Sequence, residues 1–82
     1  MKVGQKRIFV VESAWVIMGV ISEITDTHYH LDSAQVIRRW GTTEGLAQLA
    51  VSGPTSDTVL EPVALTSIRK DKELFSLLCS TP

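Results

Sequence analysis

The stretch "WVIMGVISEI", Trp15 to Ile24, limits the folds open to this chain more than any other. Its first seven residues are apolar without alternation, so a strand built from them needs cover on both faces. Gly19 falls in mid-strand, where a missing side chain suits a sharp bend or bulge. A chain of 82 residues is one domain, 1–82, with a thin core. The second cover is therefore expected from another copy of the chain.

Other supports for a small fold are few. Cys79 is the sole cysteine, which rules out an internal disulfide and fits a reducing compartment. Eight basic residues against nine acidic give a net charge of -1, whereas a general polyanion binder carries a basic excess. Duplex DNA is thus an unexpected partner. The N-terminal apolar run is broken by Glu12 and Ser13, unlike a signal peptide. The longest apolar run falls far short of the ~20 residues that span a bilayer. These features predict a soluble, cytoplasmic protein without a membrane partner.

The local patterns predict a mainly β (α+β) fold. Arg7 to Val11 reads as a first strand, "ESA" as a turn, and Trp15 to Ile24 as a long second strand. After a turn at Thr25 to Thr27, "HYHLDSAQVIRRW" forms a third strand with a bulge near Asp32 and Ser33. Past Gly41 the period changes: Leu46, Leu49 and Ala50 recur at helical spacing. A short helix is expected near residues 43–52, with Thr42 or Thr43 as N-cap, Glu44 in the first turn, and Gly53-Pro54 as the stop. Val59 to Arg69 is extended, with Pro62 at a bend or edge. "DKELFSLLC" fits a strand or a helical turn, and helix is the preferred reading.

The richest chemistry lies in "IRRWGTT". Strand alternation would set Arg38 and Trp40 on one face and Ile37 and Arg39 on the other. An arginine forks two phosphate oxygens, and an indole stacks on a base. Gly41 permits close backbone approach, and Thr42 and Thr43 offer hydroxyls and N–H groups at a helix N-terminus. Arg38, Arg39, Trp40, Gly41, Thr42 and Thr43 are the expected ligand-binding residues. A competing account uses the same residues for packing. There Trp40 anchors the core, Arg38 and Arg39 pair with Glu44, Asp57 or Glu61, and Gly-Thr-Thr is a capped turn.

Other motifs carry less. His28 and His30 share a strand face, but a metal site needs a third ligand from Asp26, Asp32 or Cys79, and no spacing enforces one. No metal and no cofactor is expected. Nothing near Cys79 lowers its pKa, and "LFSLLCS" makes it a small apolar core residue. Paired carboxylates, a Ser-His-Asp order and a glycine-rich phosphate loop do not stand out, so catalysis is not expected. Trp15 to Met18 reads as core or subunit interface, and Lys2, Lys6 and Arg7 as a solvated basic end.

Two resemblances add to this. The bent strand "WVIMGVISEI" followed by a turn and "LDSA" resembles the first motif of Sm-like small β-barrels, and "SIRKDKEL" resembles a degenerate second motif. The implied fold is a strongly bent antiparallel sheet or partly open barrel of five strands. RNA-binding members place an asparagine before the third strand and a glycine after the arginine. This chain lacks that asparagine and has Lys70 at the second position, so uridine binding is not implied. Val36 to Leu60, "VIRRWGTTEGLAQLA…GPT…TVL", resembles a family of small uncharacterised phage and prophage proteins. That resemblance implies action in a bacterial host cytoplasm.

The combined expectation is a non-enzymatic, homo-oligomeric phage-type protein that captures a nucleotide-like anionic small molecule. Sequestration of a host immune signal, an anti-defence role, is the implied use. The alternatives are an Sm-like RNA-binding module, with RNA the disfavoured partner, and an inhibitor that binds a host protein.

Overall fold

The computed structural model describes residues 1–12, 15–39, 41 and 45–80. Five strands and one short helix follow the order β1 (Lys6–Val11), β2 (Trp15–Ile24), β3 (His28–Arg39), α1 (Leu46–Ser52), β4 (Val59–Arg69) and β5 (Glu73–Leu78). They form one antiparallel sheet of order β4-β3-β2-β1-β5. The mainly β fold with one inserted helix is therefore as the patterns predict.

The sheet bends where its ladders slip. The β2–β3 register shifts between Met18 and Val20, so Gly19 sits at the slip. Across from it Ser33 adopts φ 51°, and further along the same line Ala64 of β4 adopts φ 62°. Left-handed conformations at non-glycine residues are uncommon and mark bulges, which tighten the local twist. A Cβ on Gly19 would lie 3.1 Å from the Leu31 Cβ and 3.3 Å from the Ala34 Cα. Close passage of β3 over this point is what the glycine provides.

Bending gives the sheet two apolar faces. On one, Ile8, Val16, Met18 and Ile37 pack under the helix residues Leu46, Leu49 and Ala50. On the other, Phe9, Ile21, Leu31, Ala34 and Ile68 cluster inside the curve. Neighbours Ile8 and Phe9, both 0% exposed, belong to opposite clusters. This explains much of the unalternating run in β2: the helix covers one face and the curved sheet encloses the other. Cover within the chain is incomplete, since Ile17 and Val20 stay half-buried and Trp15 exposed.

Two local expectations change. The helix starts at Leu46 with Gly45 as N-cap, has no side-chain cap and no acid in its first turn. Thr42, Thr43 and Glu44 lie outside the described residues. Its end is as expected, with the Gly53 N–H donating to the Leu49 carbonyl at 2.9 Å. The C-terminal segment is a strand and not a helix. β5 pairs with β1, Leu77 opposite Ile8, because β1 would otherwise present a bare edge. Helical geometry survives only in the 3-10 turn Lys70–Lys72.

Candidate functional site

β3 carries Arg38 and Arg39 at its far end, both exposed. Ile17 pairs with Val36, so two residues further along the ladder Arg38 arrives beside Trp15 at the start of β2. The guanidinium carbon lies 5.7 Å from the centre of the Trp15 ring. On the other side Val36 pairs with Glu61 of β4, which brings that carboxylate within reach. The Arg38 Nε donates to Glu61 Oε2 at 2.7 Å. Both side chains of the pair are about half exposed, at 51% and 52%. Trp15 is 48% exposed, so of the two readings of Trp15 to Met18, core or subunit interface, the first does not hold for this residue.

The arrangement has clear chemistry. An indole face carries a cation, and that cation is oriented by a carboxylate at one edge of its plane. Among the described residues no partner takes the Nη edge, which can face an oxygen pair. Arg39 pairs in register with Val59 and has no ion-pair partner among the described residues.

The rest of the predicted stretch behaves differently. Gly41 has φ 66°, and a Cβ there would overlap the backbone of Asp57 and Thr58. The close approach it allows is thus made by the chain's own loop. That loop is self-bonded: Thr55 Oγ1 donates to the Gly41 carbonyl at 2.6 Å and accepts from the Asp57 N–H at 3.2 Å. Trp40, Thr42 and Thr43 lie outside the described residues. The expected anion nest loses its helix support, since α1 has only seven residues and starts after Gly45. Of the expected ligand set, Arg38 stands in a cluster of chemical interest. Glu61 joins it as a partner that the packing account named, and Trp15 is added by strand pairing.

Elsewhere the histidines stack, with ring centres 6.0 Å apart and planes 11° apart. Each Nδ1 is engaged by a hydroxyl at 2.7 Å, Thr27 for His28 and Ser67 for His30. Among the described residues no group of three or more His, Cys, Asp or Glu side chains is placed to hold a metal. Cys79 is half-buried against the helix-side cluster. Burial pushes its thiol up, with Lys6 and Arg7 opposing the shift. Among the described residues no helix is long and apolar enough to cross a membrane.

Among the described residues, open grooves flank the sheet's bend and its turns. One, about 420 Å³, crosses the bend and is lined by Lys6, Val20, Ser33, Gln35, Pro62 and Ala64. A smaller one, about 190 Å³, lies between the β2–β3 and β4–β5 turns and holds Asp26, Thr27, Arg69, Lys70 and Asp71. Its cations are balanced by acids: Arg69 pairs with Asp71 at 2.9 Å. No family model matches the chain, and no curated protein matches it.

Proposed function

We propose that this chain is a non-enzymatic binding protein that captures a nucleotide-like anionic small molecule at the Arg38 end of β3. The observation that carries the reading is the Trp15–Arg38–Glu61 arrangement, an exposed ring and an oriented fork side by side. Base stacking on an aromatic plate contributes ~1–3 kcal/mol, and a charge-assisted fork adds ~1.5–3 kcal/mol. The resemblance to phage proteins sets this capture in a bacterial cytoplasm, as sequestration of a host immune signal.

The reading includes self-assembly. β4 and β5 are the two edges of the sheet. Val59, Val63 and Leu65 on one, and Leu74, Phe75 and Leu78 on the other, are exposed, Leu65 by 75%. Long apolar edges invite pairing with another strand. A second copy supplies both the strand and the apolar cover.

Native mass spectrometry of protein purified from a bacterium with an active nucleotide-signalling defence tests both parts. The expected result is an oligomer retaining a small ligand whose mass includes a base and phosphorus. A bare monomer, with no quenching of tryptophan fluorescence by any nucleotide, overturns the reading.

RNA binding has one observation in its favour, the Arg69–Lys70 pair in the groove between the turns, with Lys70 over the Tyr29 ring at 5.3 Å. Asp26 and Asp71 in the same groove work against it. Binding through several phosphates would weaken steeply with salt, whereas capture of one small anion would weaken gently.

A further inference from the structure

We infer that Glu61 sets the charge of the ligand at this cluster, so that it takes a base carried on a singly charged phosphodiester in preference to a doubly charged terminal phosphate. The inference rests on the nucleotide reading above. Glu61 is bonded to Arg38 before any ligand arrives, through Nε at 2.7 Å. The two formal charges cancel, while the Nη groups keep their donor geometry. From this pair an incoming phosphate therefore gains hydrogen-bond donors but little net attraction.

That balance treats one charge and two charges differently. The first negative charge is matched by a two-pronged contact with the fork. For a first and a second charge alike, attraction by Arg38 is offset by repulsion from Glu61, and the second finds no further donors on the fork. Its desolvation cost is uncompensated, and that cost is larger for a dianion. Because the pair is half exposed, water and salt screen the effect, and a several-fold preference is its proper scale. The Trp15 ring beside the fork supplies a stacking surface for the base, and the guanidinium plane extends it.

Glu61 is thus a specificity-determining residue. It orients Arg38 and at the same time disfavours, by a few fold, the more highly charged ligands that a lone arginine would favour. The chemical class implied is a nucleotide whose phosphate is esterified twice, such as a cyclic or linked nucleotide.

The test compares each nucleoside 5′-monophosphate with its 5′-methyl phosphodiester, for the four common bases. These probes share base and sugar and differ in charge. At pH 8 the monoester carries nearly two charges, since its second pKa is about 6. Dissociation constants are measured by calorimetry for the wild type, Glu61→Gln and Arg38→Ala. The expected wild-type result is a diester bound about threefold or more tightly than its monoester. Glu61→Gln, which keeps the shape and an acceptor oxygen, should tighten the monoester roughly threefold to fivefold and close the gap. Equal binding of the two probes by the wild type overturns the inference, as does a gap that Glu61→Gln leaves unchanged. Binding of neither probe overturns the nucleotide reading itself, and the inference with it. Binding without discrimination removes the inference alone.

Discussion

Arg38 lies over the Trp15 ring at 5.7 Å although the two residues stand on different strands, and both remain about half exposed. An aromatic–cation contact this open contributes modestly to stability, ~0.5–1 kcal/mol. The same is true of the Arg38–Glu61 pair at this exposure, ~0–1 kcal/mol. Neither contact is therefore expected to carry a large share of the stability.

Arg38→Ala should accordingly shift unfolding by only about 0.5–1 kcal/mol. It should weaken nucleotide capture at least about tenfold, because a charge-assisted fork contributes ~1.5–3 kcal/mol. Arg38→Lys should restore part of the affinity, since a point charge lacks the planar fork. Trp15→Phe should retain more binding than Trp15→Ala. Urea unfolding and fluorescence or calorimetric titration read the two effects separately. An Arg38→Ala protein that unfolds early and binds normally would make the contact structural.

Gly19→Val should destabilise the protein by about 1–3 kcal/mol through overpacking. The first added carbon already meets Leu31 and Ala34, which are both buried and part of one cluster, and the carbonyl of Asp32 at 3.3 Å. Gly19→Ala should cost less, as the neighbours need to give by only a few tenths of an ångström. Thermal and urea melts of the two variants should rank them in that order.

The edges and the core predict different failures. Leu65→Lys on β4 and Phe75→Lys on β5 place a charge on exposed edge positions. Each should give a monomer in sedimentation at micromolar concentration, with the wild-type circular dichroism retained. Val16→Lys puts a charge in the cluster beneath α1, where Val16 is 8% exposed, and should unfold the chain. A wild-type protein that already sediments as a monomer would remove self-assembly.

Cys79 links stability to high pH. Burial raises its pKa above the ordinary value of 9.0, so the folded chain holds the thiol proton more tightly than the unfolded chain does. The stabilising contribution is intact below 9.0 and is lost as pH rises through the higher folded value. Wild-type stability should therefore fall more steeply as pH rises above 9.0 than that of Cys79→Ala. Tyr29, whose phenol is also raised, chiefly by burial, titrates in both proteins and cancels in the comparison. Parallel pH curves for the two proteins would contradict this assignment.

What could be read along the chain was local. β-branched runs bounded by turn residues marked β2 as Trp15–Ile24 and β4 as Val59–Arg69. Asp32 and Ser33 marked a bulge, and Gly53 the end of α1, because turn and cap chemistry depends on a few neighbouring residues. Arg38 was legible as a candidate binding residue, and Glu61 as a candidate partner, from residue type alone. Long-range pairing settled the rest. "ELFSLL" suits helix or strand alone, and the bare edge of β1 made it β5. Gly41 met Asp57 and Thr58 only because the loop after α1 folds back on it. Arg38 found Glu61 across 23 residues of chain, and Trp15 across another ladder, by strand register. A one-residue change in either register would turn one of these side chains to the opposite face of the sheet, and no local pattern encodes that choice.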